Sequence, residues 1–200
     1  MPLQNRVTPW GDVVALPGRG LYTGNRGILH DDHRRIVRQW QVRRWITCAL
    51  EYKGVRRTPM RPRTWTELFF LDEAAALSAG HRPCGECRRD DYRRYRELFE
   101  RGRGAAGADA MDVVLHEYRL SGRTKRTYRE EIARLPDGAY VSFEGKAALV
   151  WGSHLHEWSD ARYVRRFPRP LRGEFDVLTP LPSVEILRAG YVPLAHPSAF

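Results

Sequence analysis

The sequence predicts an α+β protein with a small metal-binding unit in its N-terminal part, followed by a β-rich C-terminal part. The first observation is an unbroken succession of strand, short helix and Cys-x-x-Cys pair over residues 66–87. The second is a pair of β-branched and aromatic segments, 139–143 and 147–151, separated by turn residues. The third is a hydrophobic fraction of 42% over 200 residues, which is too high for a disordered chain and sufficient to bury a core.

The N-terminal residues are predicted to form turns and short strands. Gly and Pro recur every few positions over residues 1–28, where residues 13–16 are apolar enough for a brief strand. Segments 45–52 and 66–71 are rich in β-branched and aromatic residues, so each is predicted to be a strand. The first of these strands contains Cys48, and the second leads directly into a helix.

That helix is predicted to be short and capped at both ends. Asp72 occupies the N-cap position, where its carboxylate accepts from free amides of the first turn, and residues 73–78 are mostly strong helix formers. Gly80 is placed to end the helix in the left-handed conformation, and Pro83 fixes the backbone just before Cys84. The helix is thus followed at once by the cysteine pair.

A second, charged helix is predicted over residues 88–102. Its apolar residues recur at helical spacing and form one stripe opposite an Arg-rich face. The residues of this stripe are Tyr92, Tyr95, Leu98 and Phe99.

The glycines of residues 102–107 predict a linker. We place it at 104–111, between a metal-binding domain at 1–103 and a β-rich region at 112–200 that packs on the first. The elements predicted beyond it are a helix at 111–120, a hairpin joining 139–143 to 147–151 through Glu144-Gly145-Lys146, a strand at 175–178, and a helix capped by Ser183 and ending at Leu187.

The cysteines are predicted to be metal ligands or buried thiols. The chain has three of them, and residues 1–20 lack the continuous apolar segment of a signal peptide. No apolar run reaches the roughly 18 residues that span a bilayer. We therefore expect a cytoplasmic protein without membrane association, in which disulfides are rare.

Zinc is the predicted cofactor, with a structural role. Two thiolates at the spacing of Cys84 and Cys87 bind one metal ion, and structural zinc sites take four ligands. His30 and Cys48 complete a predicted Cys3His set, and His33 is the alternative fourth ligand. The competing interpretation is that Cys48 is a small buried hydrophobe, as in many apolar strands.

Basic residues predict contact with nucleic acid. The formal net charge is +10, and among 34 basic residues only Lys53, Lys125 and Lys146 are lysine. Arginine clusters beside the cysteine pair suit bidentate contacts with phosphate, although a solvated surface gives the same composition. The residues predicted to bind nucleic acid are Arg34, Arg35, Arg43, Arg44, Arg56, Arg57, His81, Arg82, Arg88 and Arg89.

Two tryptophans lie near these arginines. Trp40 and Trp45 could stack on unpaired bases, but large aromatic residues more often pack the core of a small domain.

Residues 79–87, AGHRPCGEC, resemble the end of the zinc-binding domain of the bacterial Ada DNA-repair protein. The upstream Gly24-Asn25 turn followed by His30 is similar to a feature of related zinc modules. This resemblance covers residues 22–90 and implies an Ada-like fold for that part, a zinc ion, and a role in DNA repair or damage recognition with DNA as the partner in preference to RNA. The chain also resembles an uncharacterised bacterial family of similar length, which implies no activity.

The chain departs from the Ada pattern in one respect. The Ada-type domain has a second cysteine pair in the loop before the strand, whereas residues 56–64 contain no cysteine. The resemblance therefore does not extend to methyl-acceptor chemistry.

Two other functions are consistent with the same residues. A metal-dependent enzyme acting on nucleic acid or nucleotides would use Asp31 and Glu67 as catalytic carboxylates beside His30. A zinc-stapled adaptor would bind another protein. The main prediction is a zinc-stabilised nucleic-acid-binding protein.

Overall fold

The structure is a computed structural model that describes residues 1–54, 58–104 and 107–200. It combines helices with sheets and has substantial strand content, which confirms the α+β class. The helices are α1 Glu73–Ser78, α2 Arg89–Arg103, α3 Ala108–Arg119 and α4 Leu181–Arg188.

A six-stranded sheet forms from the N-terminal segments. Its strands are β1 Gln4–Val7, β2 Val13–Ala15, β3 Tyr22–Asn25, β4 Ile46–Ala49, β5 Leu68–Phe70 and β6 Arg82–Pro83. Their order in the sheet is β2-β1-β5-β3-β4-β6. The strands predicted at 13–16, 45–52 and 66–71 are therefore confirmed, with shorter bounds.

A two-stranded hairpin and a second six-stranded sheet follow. Their strands are β7 Leu120–Ser121, β8 Thr124–Lys125, β9 Tyr128–Glu131, β10 Tyr140–Phe143, β11 Lys146–Trp151, β12 His154–Trp158, β13 Tyr163–Pro168 and β14 Glu174–Val177. The hairpin consists of β7 and β8, and the order in the second sheet is β13-β12-β11-β10-β14-β9. Short 3-10 helices occur at Ile132–Arg134 and Pro197–Ala199.

The predicted hairpin is confirmed, but its turn is one residue shorter than predicted, because Lys146 is the first residue of β11. Phe143 pairs with Lys146 across the two strands, so Glu144 and Gly145 form the turn. Both have positive φ, 50° and 73°, which is the conformation of a type I′ turn.

The predicted caps of α1 are present. The Asp72 carboxylate accepts a hydrogen bond of 2.8 Å from the Ala75 amide, and Gly80 follows the helix with φ 89°. The other carboxylate oxygen of Asp72 accepts from the Tyr163 hydroxyl at 2.7 Å and from the His196 amide at 2.9 Å. Asp72 thus both starts α1 and ties it to the C-terminal strands.

The main hydrophobic core uses residues from both sides of the predicted linker. Stripe residues of α2 pack with α3, α4 and the second sheet. Buried members of this core are Leu77, Tyr95, Leu98, Phe99, Met111, Leu115, Val150, Leu155 and Leu187. The predicted stripe on α2 is confirmed, with Tyr92 partly buried at its edge.

Two predicted boundaries are wrong. Helix α3 begins at Ala108, inside the linker predicted at 104–111, because Gly107 at φ 87° already ends the preceding loop. Helix α4 begins at Leu181 and not after a Ser183 cap, since Pro182 lies in the first turn, where a missing amide costs nothing. The division into domains 1–103 and 112–200 stays a prediction.

No helix in the described residues is both long and apolar enough to cross a bilayer.

Candidate metal centre

Three thiols converge at one end of the first sheet. The sulfur atoms of Cys48, Cys84 and Cys87 all lie within 4.8 Å of one another. These are the three cysteines of the chain, and none of them forms a disulfide. Three Sγ atoms at this separation can hold a metal ion.

Parallel strand pairing brings Cys48 to the Cys-x-x-Cys pair. Strands β4 and β6 run in parallel, with Ile46 beside Arg82 and Thr47 beside Pro83. The Cys84 amide then donates to the Thr47 carbonyl at 2.9 Å, so the residue after Thr47 lies next to Cys84. The prediction that Cys48 joins the pair is confirmed for its position.

The backbone around the pair Cys84 and Cys87 favours thiolates. The Glu86 amide donates to the Cys84 sulfur at 3.4 Å. A hydrogen bond from the Cys48 thiol, together with the amides of Cys87 and Glu86, lowers the pKa of Cys84 to about 5 against the cost of burial. The Cys48 thiol and the Ala49 amide likewise lower the pKa of Cys87.

The pKa of Cys48 shifts in the opposite direction. Its hydrogen bonds to Cys84 and Cys87, and then burial, raise its pKa. A bound divalent cation would favour the thiolate form of all three cysteines.

The structure does not bring His30 into the group, so the predicted Cys3His set is wrong as to its histidine. The His30 Nδ1 is 2.6 Å from the Thr66 hydroxyl, and its Nε2 is 3.0 Å from the Arg61 carbonyl. Both ring nitrogens of this buried imidazole therefore already have partners. The alternative ligand His33 is an exposed residue outside the group.

The two candidate catalytic carboxylates have separate structural partners. Asp31 accepts from the amides of His33 and Arg35 and pairs with the Arg35 guanidinium at 2.7 Å. The Arg35 amide is the main reason that the pKa of Asp31 falls to about 2. Glu67 accepts from the Met60 amide at 2.8 Å. Neither belongs to a metal-binding group among the described residues.

A groove of about 1320 Å³ lies against the three cysteines. Cations, carboxylates and aromatic rings line it, and Trp65 is 57% exposed. Its lining residues include Arg43, Arg44, Lys53, Glu67, Glu86, Asp109, Tyr52, Trp65 and Tyr92. The sequence did not single out Trp65, because an exposed tryptophan has no local signature.

The residues predicted to bind nucleic acid divide into three sets. Five are exposed, and two of these, Arg43 and Arg44, line the groove. Arg56 and Arg57 lie outside the described residues. The exposed set is Arg34, Arg35, Arg43, Arg44 and Arg89.

For His81, Arg82 and Arg88 the prediction is wrong, because all three are buried. The His81 ring packs on Trp45 and Phe70 at centroid distances of 5.3 and 4.6 Å. Its Nε2 accepts from the Arg26 Nε at 3.2 Å, which fixes the proton on Nδ1. Burial, followed by the charges of Arg26 and Arg119, lowers the pKa of His81 well below 6.5.

Arg82 and Arg88 are neutralised inside the protein. Arg82 makes two hydrogen bonds to Asp112 of α3, at 2.8 and 2.7 Å, and both side chains are at most 4% exposed. Arg88 pairs with Glu73 of α1 at 2.7 Å and with Asp91 at 2.8 Å. These arginines flank the cysteine pair and anchor it to two helices.

Trp45 is a core residue and not a stacking platform. Two buried guanidinium groups cover its ring, Arg26 at 4.0 Å and Arg119 at 3.9 Å from the centroid. Arg119 also donates to the carbonyls of Gly80 and Arg43. Trp40, the other predicted platform, is partly exposed and packs edge-on against His116 at 4.6 Å.

Comparison of the chain with protein-family models, with curated proteins and with solved structures gives no match. The arrangement of the thiols and of the groove is therefore what supports a function.

Proposed function

We propose that Cys48, Cys84 and Cys87 bind one zinc ion and that the groove beside it binds single-stranded nucleic acid. The observation that carries the proposal is the presence of cations and an exposed tryptophan around a groove whose wall contains the three thiols. The resemblance of residues 79–87 to the Ada zinc-binding domain favours DNA over RNA and a role in repair or damage recognition.

Zinc suits the donor set and its spacing. Zinc–sulfur bonds of about 2.3 Å in a tetrahedral site place the sulfurs roughly 3.8 Å apart. The three sulfurs are within 4.8 Å of one another, so a small contraction suffices. Soft thiolates favour zinc over hard cations such as magnesium. The metal would tie β4 to the start of α2.

The cations of the groove predict salt-dependent binding. Arg43, Arg44 and Lys53 line it, and three phosphate contacts on a single strand give a slope of about −2 in a plot of log affinity against log salt. Raising salt from 50 to 200 mM would then weaken binding by about 20-fold.

The aromatic residues predict contacts with unpaired bases. Trp65 is exposed beside the cations, and stacking of one base on an aromatic side chain contributes about 1 to 3 kcal/mol. Such stacking tolerates any base, so we expect little sequence preference. A duplex hides its base faces, so we expect it to bind less well than a single strand.

Fluorescence anisotropy with a labelled oligothymidine tests the proposal. Arg43→Glu and Trp65→Ala should each weaken binding, and only Arg43→Glu should flatten the salt dependence. Arg162→Glu is the matched control, because Arg162 is also exposed but does not line the groove. The proposal is wrong if the wild-type protein does not bind at low salt, or if Arg162→Glu weakens binding as much as Arg43→Glu.

A further inference from the structure

We infer that the metal centre of Cys48, Cys84 and Cys87 is an open site whose fourth coordination position faces the groove and takes an exchangeable ligand from solution. This inference rests on the proposed zinc binding and specifies its chemistry. The ligand class is a small soft donor, a thiolate, which replaces a resident water molecule.

The described residues supply three ligands and no more. Only the three cysteines form a group of donor atoms at metal-binding distance in residues 1–54, 58–104 and 107–200. The remaining residues are Val55, Arg56, Arg57, Ala105 and Ala106, and none of these has an imidazole, thiol or carboxylate side chain. A fourth ligand from this chain would therefore need a rearrangement.

The nearest alternatives are occupied elsewhere. Moving His30 to the metal would break its contacts with Thr66 and Arg61 and leave a buried hydroxyl and a carbonyl with fewer partners. Glu67 would have to release the Met60 amide. The Glu86 amide donates to the Cys84 sulfur, and Glu86 itself is exposed to solvent.

The groove is the side from which a ligand arrives. All three cysteines line it, and Cys48 and Cys87 are partly exposed. Gly85, between Cys84 and Cys87, has no side chain to cover the metal. A Cβ atom at this position would lie 3.3 Å from the Tyr92 ring. A metal site with three protein ligands keeps water in the open position.

Donor softness selects the incoming ligand, because soft thiolates favour zinc. A zinc ion with three thiolates has a net charge of −1, and a fourth thiolate would raise this to −2. Arg43 and Lys53 line the same groove and would offset part of that charge, whereas Arg44 is paired with Asp109. On exchange the thiol loses its proton to solvent, its sulfur bonds to the metal, and water leaves.

Cobalt substitution of the full chain tests the inference. Co²⁺ bound by thiolates absorbs through sulfur-to-metal charge transfer, and its ligand-field bands report the fourth ligand. Adding 2-mercaptoethanol should raise the charge-transfer absorbance by about one third, from three thiolates to four, with saturation. His30→Ala and Glu86→Gln should leave the starting spectrum unchanged.

The outcomes separate the two proposals. If cobalt and zinc do not bind, or bind equally well to Cys48→Ser, the metal centre itself is wrong. If cobalt binds but 2-mercaptoethanol leaves its spectrum unchanged, the centre exists and is closed. A spectrum altered by His30→Ala or Glu86→Gln would likewise refute the open position and identify the fourth ligand.

Discussion

The pair formed by Arg82 and Asp112, beside the three cysteines, should be costly to break. Its two hydrogen bonds are 2.8 and 2.7 Å long, and the side chains are 3% and 4% exposed. Asp112→Asn keeps the shape of the side chain but removes its charge and turns one acceptor into a donor facing the guanidinium. The Arg82 cation is then buried without a counter-charge.

The magnitude follows from burial. Breaking a buried ion pair by removing one partner costs about 3 to 5 kcal/mol, and two hydrogen bonds to charged groups at about 1.5 to 3 kcal/mol each agree with that range. We expect Asp112→Asn to lower the free energy of unfolding by about 4 kcal/mol. For a chain of this length that corresponds to a melting temperature lower by about 10 °C.

Urea and thermal unfolding followed by circular dichroism measure the effect. Asp109→Asn is the matched control, since Asp109 lies on the same helix and pairs with Arg44 at 3.4 Å, but is 88% exposed. An exposed pair contributes about 0 to 1 kcal/mol. If the two variants unfold at the same midpoint, the reasoning from burial is refuted. The double variant Arg82→Met, Asp112→Leu should recover much of the lost stability, because no charge is left unpaired.

Two further predictions concern the surrounding fold. Gly20→Ala should destabilise the protein by about 2 kcal/mol or more, since its Cβ would lie 1.6 Å from the Phe70 carbonyl oxygen. Its control, Gly102→Ala, should instead stabilise the protein by up to about 1 kcal/mol in urea unfolding, because Gly102 is in α2 and a Cβ there would have no atom within 4 Å. Equal effects of the two substitutions would contradict the packing argument. His81 has a pKa well below 6.5 in the folded state, so the unfolded chain binds a proton that the native protein does not, and stability falls as pH drops below about 6.5. Between pH 6.5 and 5 this should cost up to about 2 kcal/mol. His81→Gln should remove that part of the pH dependence. If the unfolding free energy of His81→Gln still falls by the same amount between pH 6.5 and 5, the proton is taken up elsewhere.

Local signals in the sequence were sufficient for the unit that contains the cysteine pair. Residues a few positions apart determine the Asp72 cap, the end of the helix at Gly80 and the strand before them. These features can therefore be predicted without knowing the fold. Cys48 was a harder prediction, because its position depends on the parallel pairing of β4 with β6. It succeeded because an apolar strand with one cysteine precedes the pair and a metal needs more than two ligands.

Long-range partners explain the predictions that failed. Residue type alone favours His30 as a metal ligand, but Thr66 and Arg61, more than 30 positions away, contact both of its ring nitrogens. Arg82 is of a residue type that often binds phosphate, and only the fold shows that Asp112 lies opposite it. An arginine that will be neutralised in the core cannot be distinguished by sequence from one that stays in solvent.

The buried arginines nevertheless determine what the exposed ones can do. Arg119 lies against the Trp45 ring and donates to the carbonyl of Arg43, so it connects α3 to the segment whose side chains line the groove. Arg82, through Asp112, connects the same helix to β6, the strand that precedes Cys84. One helix thus holds the backbone at Arg43 and the strand before the cysteine pair. A ligand that contacts both would meet a backbone already ordered by folding, so the entropy of ordering that backbone is not lost again on binding.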